Sequence, residues 1–226
     1  MRVLALDTAT EACSAALLVD GQVRERYEVA PRQHANLILM MVDQLLAEAG
    51  MALGDLDGLA FGRGPGGFTG VRIGTGVAQG LAFGAGLAAV PVSDLQALAH
   101  GVWRELGHEQ VLAAIDARMD EVYWGCYRHE AGSVVLEGGE HVAPPDGVAV
   151  PATGEWFGAG SGWRAHGPAL TRALAAGARL SGFDDARYPH AHDIALLAAA
   201  ALARGEGVAA EQALPVYLRD EVAWKK

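Results

Sequence analysis

The chain has 226 residues, 51% of them hydrophobic and 19% charged. That is enough to bury a sizeable core without a disulfide or metal staple, and it excludes disorder as the main state. Its 27 acidic and 17 basic residues leave a net charge of −10, with no basic run longer than Lys225-Lys226. Tight electrostatic binding of nucleic acid by this chain alone is therefore excluded, and a nucleic acid would have to be held by another protein.

From the N-terminus, residues 3–7 and Ala12–Val19 read as short apolar strands. Asp20-Gly21 is a two-residue hairpin signal, and Gln22–Val29 alternates as a third strand. Asp7 and Glu11 interrupt the apolar opening before a signal-peptide core forms. After Pro31, residues 33–49 repeat at helical spacing up to Gly50, a left-handed cap. Residues 56–62 return as a strand, a glycine loop follows, and a helix covers 68–83. Residues 87–92 form another strand, and Asp94 stands where it would cap a helix to Glu105. Residues 73–93 carry no charge, yet five glycines and Pro91 among them fit a buried helix, turn and strand better than a membrane span.

The opening meander then recurs. Setting Asp116 on Asp7 aligns Ala-Ala-Ile-Asp (113–116) with Leu-Ala-Leu-Asp (4–7) and Asp120 with Glu11. The turn at Ala131-Gly132 falls within two residues of the Asp20-Gly21 equivalent. A strand near 156–160 and helices at 168–176 and 194–203 complete the second half. The expected architecture is α/β: two lobes, each built on a β-β-β-α-β-α unit, facing each other across a cleft. The lobes are expected at 1–103 and 104–226, with the last helix free to return to the first lobe, because charge and glycine interrupt the pattern over 103–109.

Candidate chemistry is sparse. Gly62-Arg63-Gly64-Pro65-Gly66-Gly67 spells G-x-G-x-x-G, but Pro65 removes an amide and no acidic residue stands near the expected spacing. It reads as a structural glycine loop (Gly62, Gly64, Pro65, Gly66, Gly67) that lets the next helix sit close to the sheet. With only the two terminal lysines, the chain also has no Walker-A loop. Asp7 and Asp116 each end a first strand, where they either face the cleft as magnesium ligands or bases or accept hydrogen bonds from the following turn. His190 and His192 lack a third metal ligand, and His192-Asp193 suits a helix cap. Ala159-Gly160-Ser161-Gly162-Trp163 lacks the outer glycines of a nucleophile elbow. Cys13 and Cys126 lie in apolar runs and read as core residues of a protein in a reducing compartment, the cytoplasm.

Two helices are apolar on too many sides. In 33–49, Ala35, Ile38, Val42, Leu45, Leu46 and Ala49 make a core stripe, while Leu37, Met40, Met41 and Gln44 face away from it. In the helix after the glycine loop, Gly70, Gly74, Val77, Leu81 and Gly84 face inward, and Arg72, Thr75, Gly76, Gln79 and Phe83 outward. Those outward residues are the expected protein interface.

Four segments resemble the TsaB (YeaZ) family: Leu-Ala-Leu-Asp-Thr-Ala-Thr-Glu-Ala-Cys-Ser (4–14), Gly-Arg-Gly-Pro-Gly-Gly-Phe-Thr-Gly-Val-Arg-Ile-Gly (62–74), Ile-Asp-Ala-Arg-Met-Asp-Glu-Val-Tyr (115–123) and Pro-Val-Tyr-Leu-Arg (215–219). They span both halves in order. The resemblance implies the actin-like fold of sugar kinases and Hsp70, related to ribonuclease H. It also implies a role in making N6-threonylcarbamoyladenosine beside the anticodon of tRNA. In that family a related catalytic subunit, TsaD, transfers the threonylcarbamoyl group, the ATPase TsaE docks on the pair, and a separate enzyme supplies threonylcarbamoyl-AMP. TsaD places metal-binding histidines just after the strand equivalent to 87–92, and here those places hold Asp94 and Leu98. The chain is thus expected to be a non-catalytic paralogue with a vestigial nucleotide cleft at Asp7, Thr8 and Asp116. It would hold no cofactor alone, with ATP/ADP-Mg belonging to the complex, would self-pair when alone, and would meet tRNA only through its partners and no membrane. The alternative is an active ATP-dependent phosphotransferase of the same fold, which Thr8-Ala9-Thr10 disfavours because no glycine there lets backbone wrap phosphate.

Overall fold

The computed structural model describes residues 1–175 and 177–219. The first half contains β1 (Arg2–Asp7), β2 (Ala12–Val19), β3 (Gln22–Val29), α1 (His34–Ala49), β4 (Gly58–Gly62), α2 (Phe68–Ala85), β5 (Ala89–Val92) and α3 (Asp94–Leu106). The second contains β6 (Gln110–Arg118), β7 (Glu121–Glu130), β8 (Ser133–Ala143), β9 (Glu155–Ala159), α4 (Ser161–Leu174), β10 (Arg179–Asp184) and α5 (Ala191–Ala203). The sheets run β3-β2-β1-β4-β5 and β10-β9-β6-β7-β8, so the second, read backwards, repeats the order of the first. In each, an antiparallel meander pairs through its first strand with parallel strands beyond.

The repeat holds at residue level. Asp20 and Gly21 turn the first hairpin with φ of 48° and 88°, and Ala131 and Gly132 turn the second with 49° and 85°. Both are the primed turns that match strand twist. Among the described residues the second unit has no counterpart of α1, and a single 3-10 turn at Pro145–Gly147 stands between β8 and β9.

Strand periodicity sorts the core. On β1, Leu4 and Leu6 face α1 and α2, joining Ile38, Met41, Val42 and Leu45, while Val3 and Ala5 face α5. The second sheet buries Leu112, Trp124 and Trp156 against Trp163, Leu170 and Leu174 of α4, and Val111, Ala113 and Ile115 against α3. Helices are therefore exchanged: α3, from the first half, covers the second sheet, and α5, from the second, covers the first. A division at 103/104 falls inside α3. The two helices meet at a buried cluster in which Asp193 accepts from Arg104 through both carboxylate oxygens, at 2.9 and 3.0 Å, and its Oδ1 lies 2.6 Å from His100 Nδ1.

Several local expectations are corrected. Ser93, not Asp94, caps α3, its Oγ accepting from Gln96 N–H at 3.3 Å. His192 and Asp193 do not cap α5, whose first amides donate instead to Ser14 Oγ and Glu25 Oε1. The helix expected at 168–176 begins at Ser161 and runs through Pro168, because Trp163 anchors its first turn through a bond to the Leu112 carbonyl at 3.0 Å. Its expected last residue, Ala176, and the Lys225-Lys226 pair lie outside the described residues. No helix among the described residues is long and apolar enough to cross a membrane.

Candidate functional site

The glycine loop sits where β1, β4 and α3 converge. Asp7 Oδ1 accepts from Ala9 N–H at 2.8 Å, and Asp116 Oδ1 accepts from Arg118 N–H at 3.0 Å. Both aspartates thus make the local turn bond, in both copies of the repeat. Asp7 and Thr8 are buried, so neither lines an open nucleotide cleft, which corrects that expectation. Thr8 Oγ1 donates to the Gly70 carbonyl at 2.7 Å, and Gly67 N–H donates to the Ala9 carbonyl at 2.7 Å. A side chain at Gly70 would put its Cβ 2.0 Å from Thr8 O. The start of α2 is filled by the chain's own backbone, and these residues do not fit a nucleotide phosphate there.

The carboxyl that meets Asp7 is Asp94. Both are fully buried and both crowd Gly62, where a Cβ would stand 2.3 Å from Asp94 Oδ1 and 2.7 Å from Asp7 Oδ1. Asp94 Oδ2 accepts from Gly64 N–H at 2.5 Å, and Asp94 N–H returns a bond to the Gly64 carbonyl at 3.1 Å. Burial pushes both carboxyls above their ordinary range, Asp94 the further because the Asp7 charge adds to it. Glu140 of β8 adds to the negative field while accepting from Ser93 Oγ and Tyr127 OH. Sequence reading missed this role of Asp94; its one signal was an acid directly after an apolar strand.

Among the described residues no group of three or more His, Cys, Asp or Glu is arranged to hold a metal ion. His190 Nδ1 is taken by Glu25 at 3.0 Å. Burial, ahead of nearby carboxylates, pushes the Cys13 thiol up to about 12; Cys126, also raised chiefly by burial, reaches about 12 as well, opposite to the lowered values that activate a thiolate.

The two doubly apolar helices lie side by side on one face of the first sheet. Met40 is 52% exposed and Phe83 80%, with Gln44, Arg72 and Gly76 also exposed and Leu37 and Gln79 half-buried. Met41 and Thr75 are corrections. Met41 lies in the core with Ile38, Val42 and Leu45, and Thr75 is 5% exposed. The i, i+3, i+4, i+7 spacing of 38, 41, 42 and 45 is itself the core signal, and it turns Ala35 outward. On α2 the inward stripe is Val71, Gly74, Thr75, Ala78 and Ala82, which leaves Gly84 exposed. Arg72 lies 3.6 Å over the Phe68 ring and donates to Tyr217 OH at 2.9 Å, while Gln79 Nε2 donates to the Ala213 carbonyl at 2.9 Å.

Residues 26–226 match the family described as TsaD, tRNA N6-adenosine threonylcarbamoyltransferase. The tRNA threonylcarbamoyladenosine biosynthesis protein TsaB of Escherichia coli K12 is 49% identical over 100% of this chain and 98% of its own length. Its namesake from Haemophilus influenzae is 40% identical, over 100% and 97%. The solved structure of YeaZ from Pseudomonas aeruginosa superposes with a TM-score of 0.88 at 55% identity, covering 96% of this chain and 99% of that one.

Proposed function

The chain belongs to the TsaB (YeaZ) family, with its two-lobe actin-like α/β fold, and from that premise we propose that it is the non-catalytic partner subunit in making N6-threonylcarbamoyladenosine in tRNA. On this reading it pairs with a TsaD-like catalytic subunit, helps recruit a TsaE-like ATPase, works in the cytoplasm, and touches tRNA only within that complex. ATP/ADP-Mg belongs to the assembly and not to this chain.

The observation that carries the reading is the open side of α1 and α2. Met40 and Phe83 stand out beside Gly76 and Gly80, around which nothing lies within 4 Å of a Cβ position. Exposed large apolar groups beside bare backbone suit the close approach of a second helix pair. The same surface serves a second copy when the chain is alone. The non-catalytic role is supported by Asp7 Oδ1 and the Thr8 hydroxyl, which are bonded within the chain on buried residues, and this also weighs against the phosphotransferase alternative.

The test is reconstitution with the catalytic subunit, the ATPase, threonylcarbamoyl-AMP and tRNA. The chain alone should transfer nothing, and transfer by the catalytic subunit should require it. Phe83→Glu combined with Met40→Glu should stay folded yet lose co-elution and transfer together. An uncompensated charge buried in the seam costs about 3–5 kcal/mol, roughly a hundredfold or more in Kd. Full transfer without the chain, or undiminished pairing of the double variant, would overturn the reading.

A further inference from the structure

The turn between β6 and β7 holds three consecutive non-glycine residues in the left-handed region: Arg118, Met119 and Asp120, with φ of 63°, 57° and 57°. Each such residue costs about 1–2 kcal/mol, so a run of them persists only where the surroundings over-determine it. On one side, the Arg118 guanidinium spans from Asp116 Oδ2 to Glu11 Oε1, at 3.1 Å each. Glu11 lies in the β1–β2 turn of the first sheet, so this exposed ion pair bridges the two lobes at a junction termed their mouth. On the other side stands Arg219. It donates to the Ala117 carbonyl at 3.3 Å and to the Glu121 carboxylate, and it lies 3.9 Å from Met119 Sδ.

Arg219 is anchored far from that turn. Within seven residues the chain before it is fixed to α2 twice and to the glycine loop once. Gln79 donates to the Ala213 carbonyl, Arg72 donates to Tyr217 OH, and Val216 N–H donates to the Arg63 carbonyl at 2.8 Å. We propose that residues 213–219 are a strap that couples the exposed side of α2 to the mouth between the lobes. With Arg72 and Gln79 bound to the strap, Arg219 clamps the left-handed turn and Arg118 stays on Glu11. When another surface takes up Arg72 and Gln79, the strap loosens, Arg219 releases the turn, and the mouth unlatches. The two states differ by named contacts at two separate sites, which is what coupling between sites requires. The biological trigger rests on reading α2 as the partner face; the coupling itself does not.

The test therefore uses the isolated full chain, as a monomer at low concentration, followed by hydrogen–deuterium exchange in the peptide 115–123. Arg72→Ala combined with Gln79→Ala, which touches nothing in that peptide, should speed its exchange about tenfold, as for loss of one charge-assisted hydrogen bond. Arg219→Ala should do the same, and the triple variant should be no faster than Arg219→Ala alone. Arg219→Lys, which keeps the charge but not the fork, should fall between and serves if Arg219→Ala does not fold. Parental exchange in 115–123 with the α2 variant, while 213–219 itself loosens, would overturn the coupling. So would additive effects in the triple variant, or no effect of either Arg219 substitution. A chain that fails to pair with a catalytic subunit would sink the partner reading and leave these exchange rates untouched.

Discussion

Asp94 begins α3, fixes Gly64 of the glycine loop and stands against the Asp7 carboxyl, all without contact with water. Because burial and the Asp7 charge raise its pKa in the folded chain, the folded state binds a proton that the unfolded state has already released. Its contribution to stability is fully present below the unfolded value of 3.8 and is lost as pH rises through the folded value. Asp94→Asn keeps an acceptor for Gly64 and offers Asp7 an amide donor without needing the proton. Denaturant titrations across pH should show the variant gaining on the parent as pH rises from acidic to alkaline, by at least about 1 kcal/mol. A parent that gains on the variant with rising pH would show that the pair is ionised and otherwise neutralised. The sequence showed Asp7 and its turn bond, because that bond is local. It hid the partner, because only the parallel placement of β1 and β4, with α3 following β5, brings Asp94 to Asp7.

On α1, adjacent methionines have opposite fates. Met41→Glu sets a carboxylate among Ile38, Val42 and Leu45 and should unfold the chain or lower its Tm steeply, and even Met41→Ala should cost about 2–5 kcal/mol. Met40→Glu, at a half-exposed position, should leave Tm nearly unchanged. Thermal melts of the two variants side by side decide the matter, and equal losses would show that Met40 is also core. Amphipathic period places strands and helices well, since each apolar stripe needs only its own element. The helix boundaries that failed are those set by distant groups: the start of α4 depends on Trp163 reaching Leu112, and that of α5 on Ser14 and Glu25. On α2 the inward face was misjudged because Thr75, a polar residue with no apolar signature, is buried beside Gly74.

The duplication was legible from Asp7 and Asp116 and from the paired hairpin turns, but the exchange of α3 and α5 was not, because nothing in either helix records which sheet it covers. Residues 1–103, produced alone, lack α5 and leave Val3, Ala5, Ala16 and Leu18 uncovered. Circular dichroism and a denaturant titration should find no cooperative unfolding in that fragment, whereas adding residues 191–213 as a separate peptide should restore it. Cooperative folding of 1–103 unaided would show that the first sheet does not need its borrowed helix. The exchange has a consequence during synthesis on the ribosome. Val92 completes the first sheet, yet Ala191, which opens the helix that seals it, is 99 residues further on. At about 5–20 residues per second, the nascent chain carries that bare apolar face for roughly 5–20 s before its own cover emerges. Over that interval the growing polypeptide is a client for a chaperone, and slowing translation across β6 to β10 should cost yield even though every finished molecule is identical.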